Sequence, residues 1–385
     1  MKVTGDWLTA APTQAVCAML ETHGHQALLV GGCVRDALLG APVNDIDIST
    51  DAHPKRVIEL AKAAGLNAIP TGIEHGTITV VVDRIPHEIT TFRHDVETDG
   101  RRAVVAFSDT VEDDARRRDF TMNALYARAD GTVVDPLGGI DDLKARRLRF
   151  IDNAQDRIRE DYLRILRYFR FHAYYGDPAE GMDPDALAAI AANIDGLASL
   201  SRERVGSETV KLMGAPDPAP SVAAMRQTGV LTVILPGTDD RALAPLIQLE
   251  EMHAVPIDPI RRLTALGGEG IAQALRLSKK AARHRDVLRN GLESLDTPGA
   301  LGYRHGLDAA TSILLLRAAV FEMPLMSEGL AAAHTGAHAQ FPIRPADLID
   351  RFQGAALGRA LKELESRWIT SDFALSKSEL LDSLT

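Results

Sequence analysis

Apolar positions along the first third of the chain switch repeatedly between a helical and a strand-like period. Residues 12–23 carry them at helical spacing, and 27–30 form a compact apolar run that ends at Gly31-Gly32. A short helix is predicted over 34–39, stopped by Gly40-Ala41-Pro42. Residues 45–49 alternate acidic and apolar side chains, as a half-buried strand does, and 54–64 reads as a helix ended by Gly65. Two β-rich runs, 77–82 and 87–92, flank residues 83–86 and predict a hairpin. Residues 93–102 are polar and read as an exposed, mobile loop. Beyond about Arg146 the strand signal stops. Helical spacing runs through 158–174, 184–194, 202–213, 221–228, 243–252 and 271–289, and resumes from about Asp308 to a short terminal helix near Ser376. The pattern predicts an α+β head followed by helices only, with Pro-rich punctuation at 214–220.

Composition narrows the class. The 385 residues are 45% hydrophobic and 25% charged, ordinary for a folded chain of more than one module. No apolar run approaches the roughly 18 residues of a membrane span; the stretch 312–321 is short and contains Arg317. The N-terminus carries Asp6 and no apolar core, so a signal peptide is not expected and the expected location is cytoplasmic. Cys17 and Cys33 are too few for a disulfide framework or a four-cysteine zinc site and read as buried thiols. The net charge of -10 argues against a polyanionic partner, but residues 144–170 hold nine basic residues against four acids. Such a band is either a solvated helix face or a polyanion contact.

Three groups of residues carry candidate chemistry. Gly31-Gly32 between a strand and a helix lets backbone N–H groups approach a phosphate, with Arg35 placed to grip it. Asp45 and Asp47, at i and i+2 of the expected strand, point to one face, where a divalent cation offsets their repulsion. Glu88 on a neighbouring strand is the third carboxylate candidate; its alternative is an exposed edge residue. Arg116-Arg117-Arg118 ahead of Asn123 is either a solvated basic turn or a triphosphate contact. Asp161, Arg164, Arg167 and Arg170 step by three, so the row winds over about 13 Å of helix. An acid beside an arginine matches the amino donor and ring-nitrogen acceptor that cytosine and adenine share, and mismatches uracil and guanine. On spacing alone an i,i+3 salt bridge on a basic helix is the preferred reading of the pair.

Taken together, the motifs resemble the class II tRNA nucleotidyltransferases: the CCA-adding enzymes and the bacterial poly(A) polymerases. They comprise Leu29-Val-Gly-Gly-Cys-Val-Arg-Asp36, Asp45-Ile-Asp47, His75-Gly-Thr77, Glu88-Ile-Thr-Thr-Phe92, Arg117-Arg-Asp-Phe-Thr-Met-Asn-Ala-Leu125, Asp135-Pro-Leu-Gly-Gly139 and Glu160-Asp-Tyr-Leu-Arg-Ile-Leu-Arg167, in that family's order. The resemblance covers about residues 27–213. It implies a nucleotidyltransferase palm head with a mixed β-sheet (1–145), then an all-helical neck (146–214), body (215–300) and tRNA-binding tail (301–385). It also implies Asp45 and Asp47 as Mg²⁺ ligands and, with Glu88, as the catalytic carboxylates. Gly32, Arg35 and Arg118 are implied as nucleotide contacts. Asp161 and Arg164 are implied as the template for CTP or ATP, continued by Arg167 and Arg170. The implied partner is tRNA; nothing in the chain marks a membrane or a protein partner. The polar segment 93–107 is kept at a length that favours full CCA addition, and the tail lacks the basic extension of a poly(A) polymerase. Tyr168, Phe169 and Phe171 are expected in the neck core rather than as base-stacking platforms.

Overall fold

A computed structural model describes residues 1–99 and 102–384. The chain forms two compact units, one of residues 1–208 with 224–234, the other of 209–223 with 235–385.

The first unit is built on a seven-stranded sheet. Its strands are β1 (Leu28–Val30), β2 (Asp47–Thr50), β3 (Asn67–Gly72), β4 (Thr77–Val82), β5 (Ile85–Thr91), β8 (Tyr126–Ala127) and β9 (Val133–Val134). The order is β3-β4-β5-β2-β1-β8-β9, all antiparallel except β2 with β5. Alternation assigns the two faces. Ile78, Ile48 and Ile89 are fully buried and stand in adjacent register, while Asp47 and Glu88 occupy the neighbouring register positions. The buried row packs under the Ala11–Glu21 and Pro54–Ala63 helices. The β4–β5 hairpin closes through Asp83 and Arg84, both with positive φ, the geometry that matches strand twist in a two-residue turn.

Several expectations need correcting. Strand β2 begins at Asp47, so Asp45 lies ahead of it rather than on it. The reason is in β1: it pairs Leu29 with Ile48, then leaves the sheet at Gly31, so the residues before Asp47 lose one neighbour. The expected loop 93–102 is largely strand. β6 (Arg93–Asp99) and β7 (Arg102–Phe107) form a separate two-stranded ribbon, and Gly100 and Arg101 lie outside the described residues. The sequence of 93–99 has no apolar period; its strand partner is the β-prone Ala-Val-Val-Ala-Phe run of β7. Strand β3 gave no signal because it is a mostly exposed edge containing Pro70.

The expected helix 158–174 is two helices, Ala154–Glu160 and Leu163–Tyr175. Asp161 breaks it with an extended backbone, its Oδ1 accepting from the Leu163 N–H at 3.0 Å. Tyr162 lies flat against Gly196, where an added Cβ would sit 2.0 Å from the ring. Tyr168 and Phe169 are fully buried and Phe171 nearly so, with Phe150 stacked on Tyr168 at 5.4 Å, so they are core as expected. Cys17 and Cys33 are buried and free; burial above all pushes their thiols up, to about 12 and about 11.

The second unit is helical. Pro298–His305 and Ser327–His338 touch backbone to backbone: a Cβ on Gly302 or Gly336 would lie 2.0 Å from a carbonyl of the facing helix. The expected helix 271–289 is interrupted by Arg276 in the left-handed region and restarts at Lys279 with Ser278 as its cap. Glu250 is a buried anchor. It accepts from Arg261 and Arg262, both 2% exposed, and Arg262 also donates to the carbonyls of Met213, Ala215 and Pro216. Removing Glu250 strands two buried guanidinium groups. Glu250→Ala is expected to cost about 3–5 kcal/mol, read from the denaturant midpoint of the second unit, whereas Glu251→Ala on the exposed face changes it by under about 0.5 kcal/mol.

Candidate active site

The sheet's carboxylate face is set by register. Asp47 pairs directly with Glu88 across the parallel β2–β5 ladder, and the Glu88 N–H donates to the Ile46 carbonyl at 3.3 Å. Asp45 and Glu88 are exposed and Asp47 is half-buried. The Asp47 pKa is raised to about 6, by burial first and then by the charges of Glu88 and Asp45, with Arg118 opposing them. The three candidate carboxylates therefore share one electrostatic neighbourhood. Among the described residues no three such side chains already converge into a ligating cluster. Their donor set still fits a hard divalent cation, which takes carboxylate oxygens and offsets the repulsion that Asp47 registers.

Beside this face, β1 turns into the Gly32–Leu38 helix. Gly31 adopts φ 72°, a conformation that favours glycine, and a Cβ there would lie 3.4 Å from Arg118 Nη1. Arg118 donates from Nε to Tyr126 and from Nη2 to Ser49 and Asp114, and among the described residues no acceptor meets Nη1 beside the glycine turn. Burial opposes the Asp114 charge, but Arg118, Arg117 and the Tyr126 hydroxyl hold its carboxyl well below the usual range. Arg35 is buried and clamped. It donates to Asp36 at 2.9 Å, Asn123 at 2.6 Å and Tyr175 at 2.7 Å, with its guanidinium 4.0 Å above the Tyr175 ring. Gly32 opens the helix and is half-buried.

The basic row is partnered differently from a simple i,i+3 ladder. Asp161 Oδ2 accepts from Arg204 at 2.6 Å, not from Arg164. Arg164 donates from Nη1 to Glu160 (2.6 Å) and to the Arg157 carbonyl (2.8 Å), and from Nη2 to the Arg117 carbonyl (3.1 Å). That uses three of its five N–H groups; the Nε–H and one Nη2–H are not engaged. Asp161 keeps acceptor capacity as well, since two bonds fill half of a carboxylate's sites. Arg167 grips Asp119 at 2.6 Å and Arg170 grips Glu208 at 2.6 Å, both near the Phe171 ring. Asp119 also accepts from Asn123, so one chain of bonds runs from Arg35 through Asn123 and Asp119 to Arg167.

The residues that order this region without having been singled out are Asp114, Asp119, Glu160, Tyr175, Arg204 and Glu208. Asp119 and Glu160 sit inside the quoted motifs and were legible as candidates. Arg204 and Glu208 lie some 40 residues downstream of their partners, and only the Arg202–Met213 helix brings them there.

The sign of the Asp47 shift gives a test. A carboxyl raised from its ordinary 3.8 to about 6 contributes stability below the lower value that is lost as pH rises through the higher. With divalent cations chelated, Asp47→Asn is expected to unfold at higher temperature than the parent at about pH 8, the difference closing by about pH 4. A pH-independent difference in scanning calorimetry contradicts the carboxylate cluster.

Comparison with known proteins gives the family. Residues 27–149 match the family "Poly A polymerase head domain", and residues 181–241 match "Probable RNA and SrmB- binding site of polymerase A". The chain is 45% identical to the human mitochondrial CCA tRNA nucleotidyltransferase 1 over 52% of this chain and 46% of that protein. It is 32% identical to the Danio rerio protein of the same name over 95% of this chain and 89% of that protein. The crystal structure of the Bacillus stearothermophilus CCA-adding enzyme in complex with CTP superposes with a TM-score of 0.74 at 27% identity, covering 97% of this chain and 96% of that one. Among the described residues no helix is long and apolar enough to cross a membrane, and enzymes of this kind generally use a divalent metal. The chain belongs to the class II CCA tRNA nucleotidyltransferase and bacterial poly(A) polymerase family.

Proposed function

We propose that this protein is a cytoplasmic CCA-adding tRNA nucleotidyltransferase that adds C, C and A to the tRNA 3′ end from CTP and ATP. The 3′-hydroxyl oxygen bonds to the α-phosphorus as the bond to pyrophosphate breaks. The observation that carries the choice of nucleotides is the Asp161–Arg164 pair. Asp161 has acceptor sites to spare for an exocyclic amino group, and Arg164 has an Nε–H and an Nη2–H to spare for a ring nitrogen. Their remaining bonds, to Arg204 and Glu160, fix where those groups point. Uracil and guanine would set a carbonyl against Asp161 and an N–H against Arg164, leaving buried polar groups unmatched.

The other residues take supporting roles in this reading. Asp45 and Asp47 hold Mg²⁺, with Glu88 as the third carboxylate. When bound, Mg²⁺ supplies Lewis-acid stabilisation of the attacking oxygen and of the charge on the phosphates. Arg118 Nη1 and the backbone at Gly32 meet the triphosphate, and Arg35 holds the glycine turn against Asn123 and Tyr175. Arg167 and Arg170 continue the nucleotide surface. Catalysis is then positioning and electrostatics, with no covalent enzyme intermediate. Head (1–145), neck (146–214), body (215–300) and tRNA-binding tail (301–385) form the division of labour in this reading.

Purified protein with Mg²⁺ and a tRNA lacking its 3′ end tests it. CTP alone is expected to give two additions, and CTP with ATP a third that terminates. Asp45→Ala is expected to abolish all three. A long ladder with ATP alone assigns poly(A) synthesis instead, and no product under any condition leaves RNA binding without catalysis. Asp161→Ala is expected to raise UTP and GTP incorporation relative to CTP and ATP by roughly tenfold or more. tRNA affinity is expected to fall steeply with salt, as phosphate contacts dictate; a salt-insensitive affinity contradicts that mode of binding.

A further inference from the structure

Six arginines are buried among the described residues: Arg35, Arg157, Arg164, Arg261, Arg262 and Arg285. Five of them pair with a carboxylate: Arg35 with Asp36, Arg157 and Arg164 with Glu160, Arg261 and Arg262 with Glu250. Arg285 is 3% exposed and has none. Its Nη2 donates to the carbonyls of Gly267 at 3.0 Å and Gly268 at 3.1 Å; Nε has no acceptor, and no hydrogen bond involves Nη1. A buried charge whose direct contacts are two carbonyl dipoles is costly, because no carboxylate pairs with it to offset desolvation. Burial and the neighbouring Arg289 both push the Arg285 pKa down, Asp286 only partly opposing them.

Arg285 lines a cavity of about 550 Å³ within the second unit, bounded by the Gly267–Gly268 turn, the Pro236–Gly237 turn and the Lys279–Glu293 helix. Arg289 stands one helical turn on at the same cavity. The two carboxylates there, Glu269 and Glu293, are exposed and reach Arg289, at 3.5 Å and 3.2 Å. They neutralise the outer arginine and leave the inner one uncompensated. The cavity therefore suits an oxyanion with several acceptor oxygens, able to take the Arg285 N–H groups and compete with glutamates for Arg289.

We propose that the Arg285 cavity is a phosphate-binding site, remote in sequence from the catalytic motifs, that takes either a free phosphate ion or one phosphodiester of a bound RNA. Both sources present the same group, a tetrahedral anion with at least two unesterified oxygens. The site does not depend on the catalytic reading, because its binding is measured without turnover.

The test compares full-length protein with Arg285→Met and with Pro236→Glu. The first removes the charge and keeps the bulk. The second places a carboxylate on the exposed rim and leaves the buried arginine in place, so it serves if Arg285→Met fails to fold. Thermal unfolding is followed in sodium phosphate against sodium chloride and sodium acetate at matched ionic strength. tRNA affinity is measured over a salt series in each protein. A phosphate-specific rise in unfolding temperature, lost in the variants, assigns a free phosphate ion. No rise with phosphate, but a tRNA affinity roughly tenfold weaker in the variants with a salt slope smaller by about one, assigns an RNA phosphodiester. Equal stabilisation by acetate, or no difference between parent and folded variants in either assay, overturns the proposal.

Discussion

Asp119 is the residue on which the site's arrangement turns. It follows the Arg116–Arg118 run, is 7% exposed, and takes Asn123 on one oxygen and Arg167 on the other. Burial opposes its charge, but Arg167 and the Asn123 amide hold its carboxyl well below the usual range, so it stays ionised at any physiological pH. Through Asn123 it holds Arg35 behind the glycine turn, and through Arg167 it holds the Leu163–Tyr175 helix. Such a network has to be satisfied throughout, because a half-paired buried charge costs more than an apolar contact. Aromatic packing of Phe120 against Phe150, Tyr168 and Phe171 supplies the dry surroundings in which these bonds are strong.

Against that compensated background the carboxylates of β2 and β5 stand out. Arg118, the cation that opposes the Asp47 shift, is already committed to Asp114, Tyr126 and Ser49, so it only partly relieves Asp47. The first unit thus combines arginines whose charges are met and carboxylates whose charges are not. Negative charge gathered on one sheet face, with one free guanidinium edge beside a glycine turn, suits a cation and a triphosphate arriving together. The second unit shows the converse: Glu250 satisfies two buried arginines, while Arg285 has carbonyls alone.

Much of this was readable from residue order. The β4–β5 hairpin, the helix after Gly31-Gly32 and the aromatic neck core follow from period and punctuation, which are local properties. Asp47 and Glu88 were legible as a pair because motif spacing placed them on adjacent strands. Less legible was the β6–β7 ribbon, whose first strand has no apolar period and forms only against β7. The same holds for β3, an exposed edge whose pairing with β4 is set by its neighbour rather than by its own residues.

Local sequence sets residue chemistry and helix or strand period, and these sufficed for the α+β head and the helical remainder; Asp45, Asp47, Glu88, Asp161 and Arg164 were candidates through the family resemblance of the motifs that hold them. Local sequence does not set which opposite charge each buried group meets, since that depends on chain segments far apart in number. Asp161 reads as the i,i+3 partner of Arg164, yet an extended backbone at Asp161 turns it to Arg204, 43 residues on, and leaves Arg164 to Glu160. Asp45 reads as a strand residue, yet β1 departs at Gly31 and the strand starts two residues later. In each case the tertiary structure decides, because a desolvated charge must be matched within a few ångströms and only the folded chain determines what lies there.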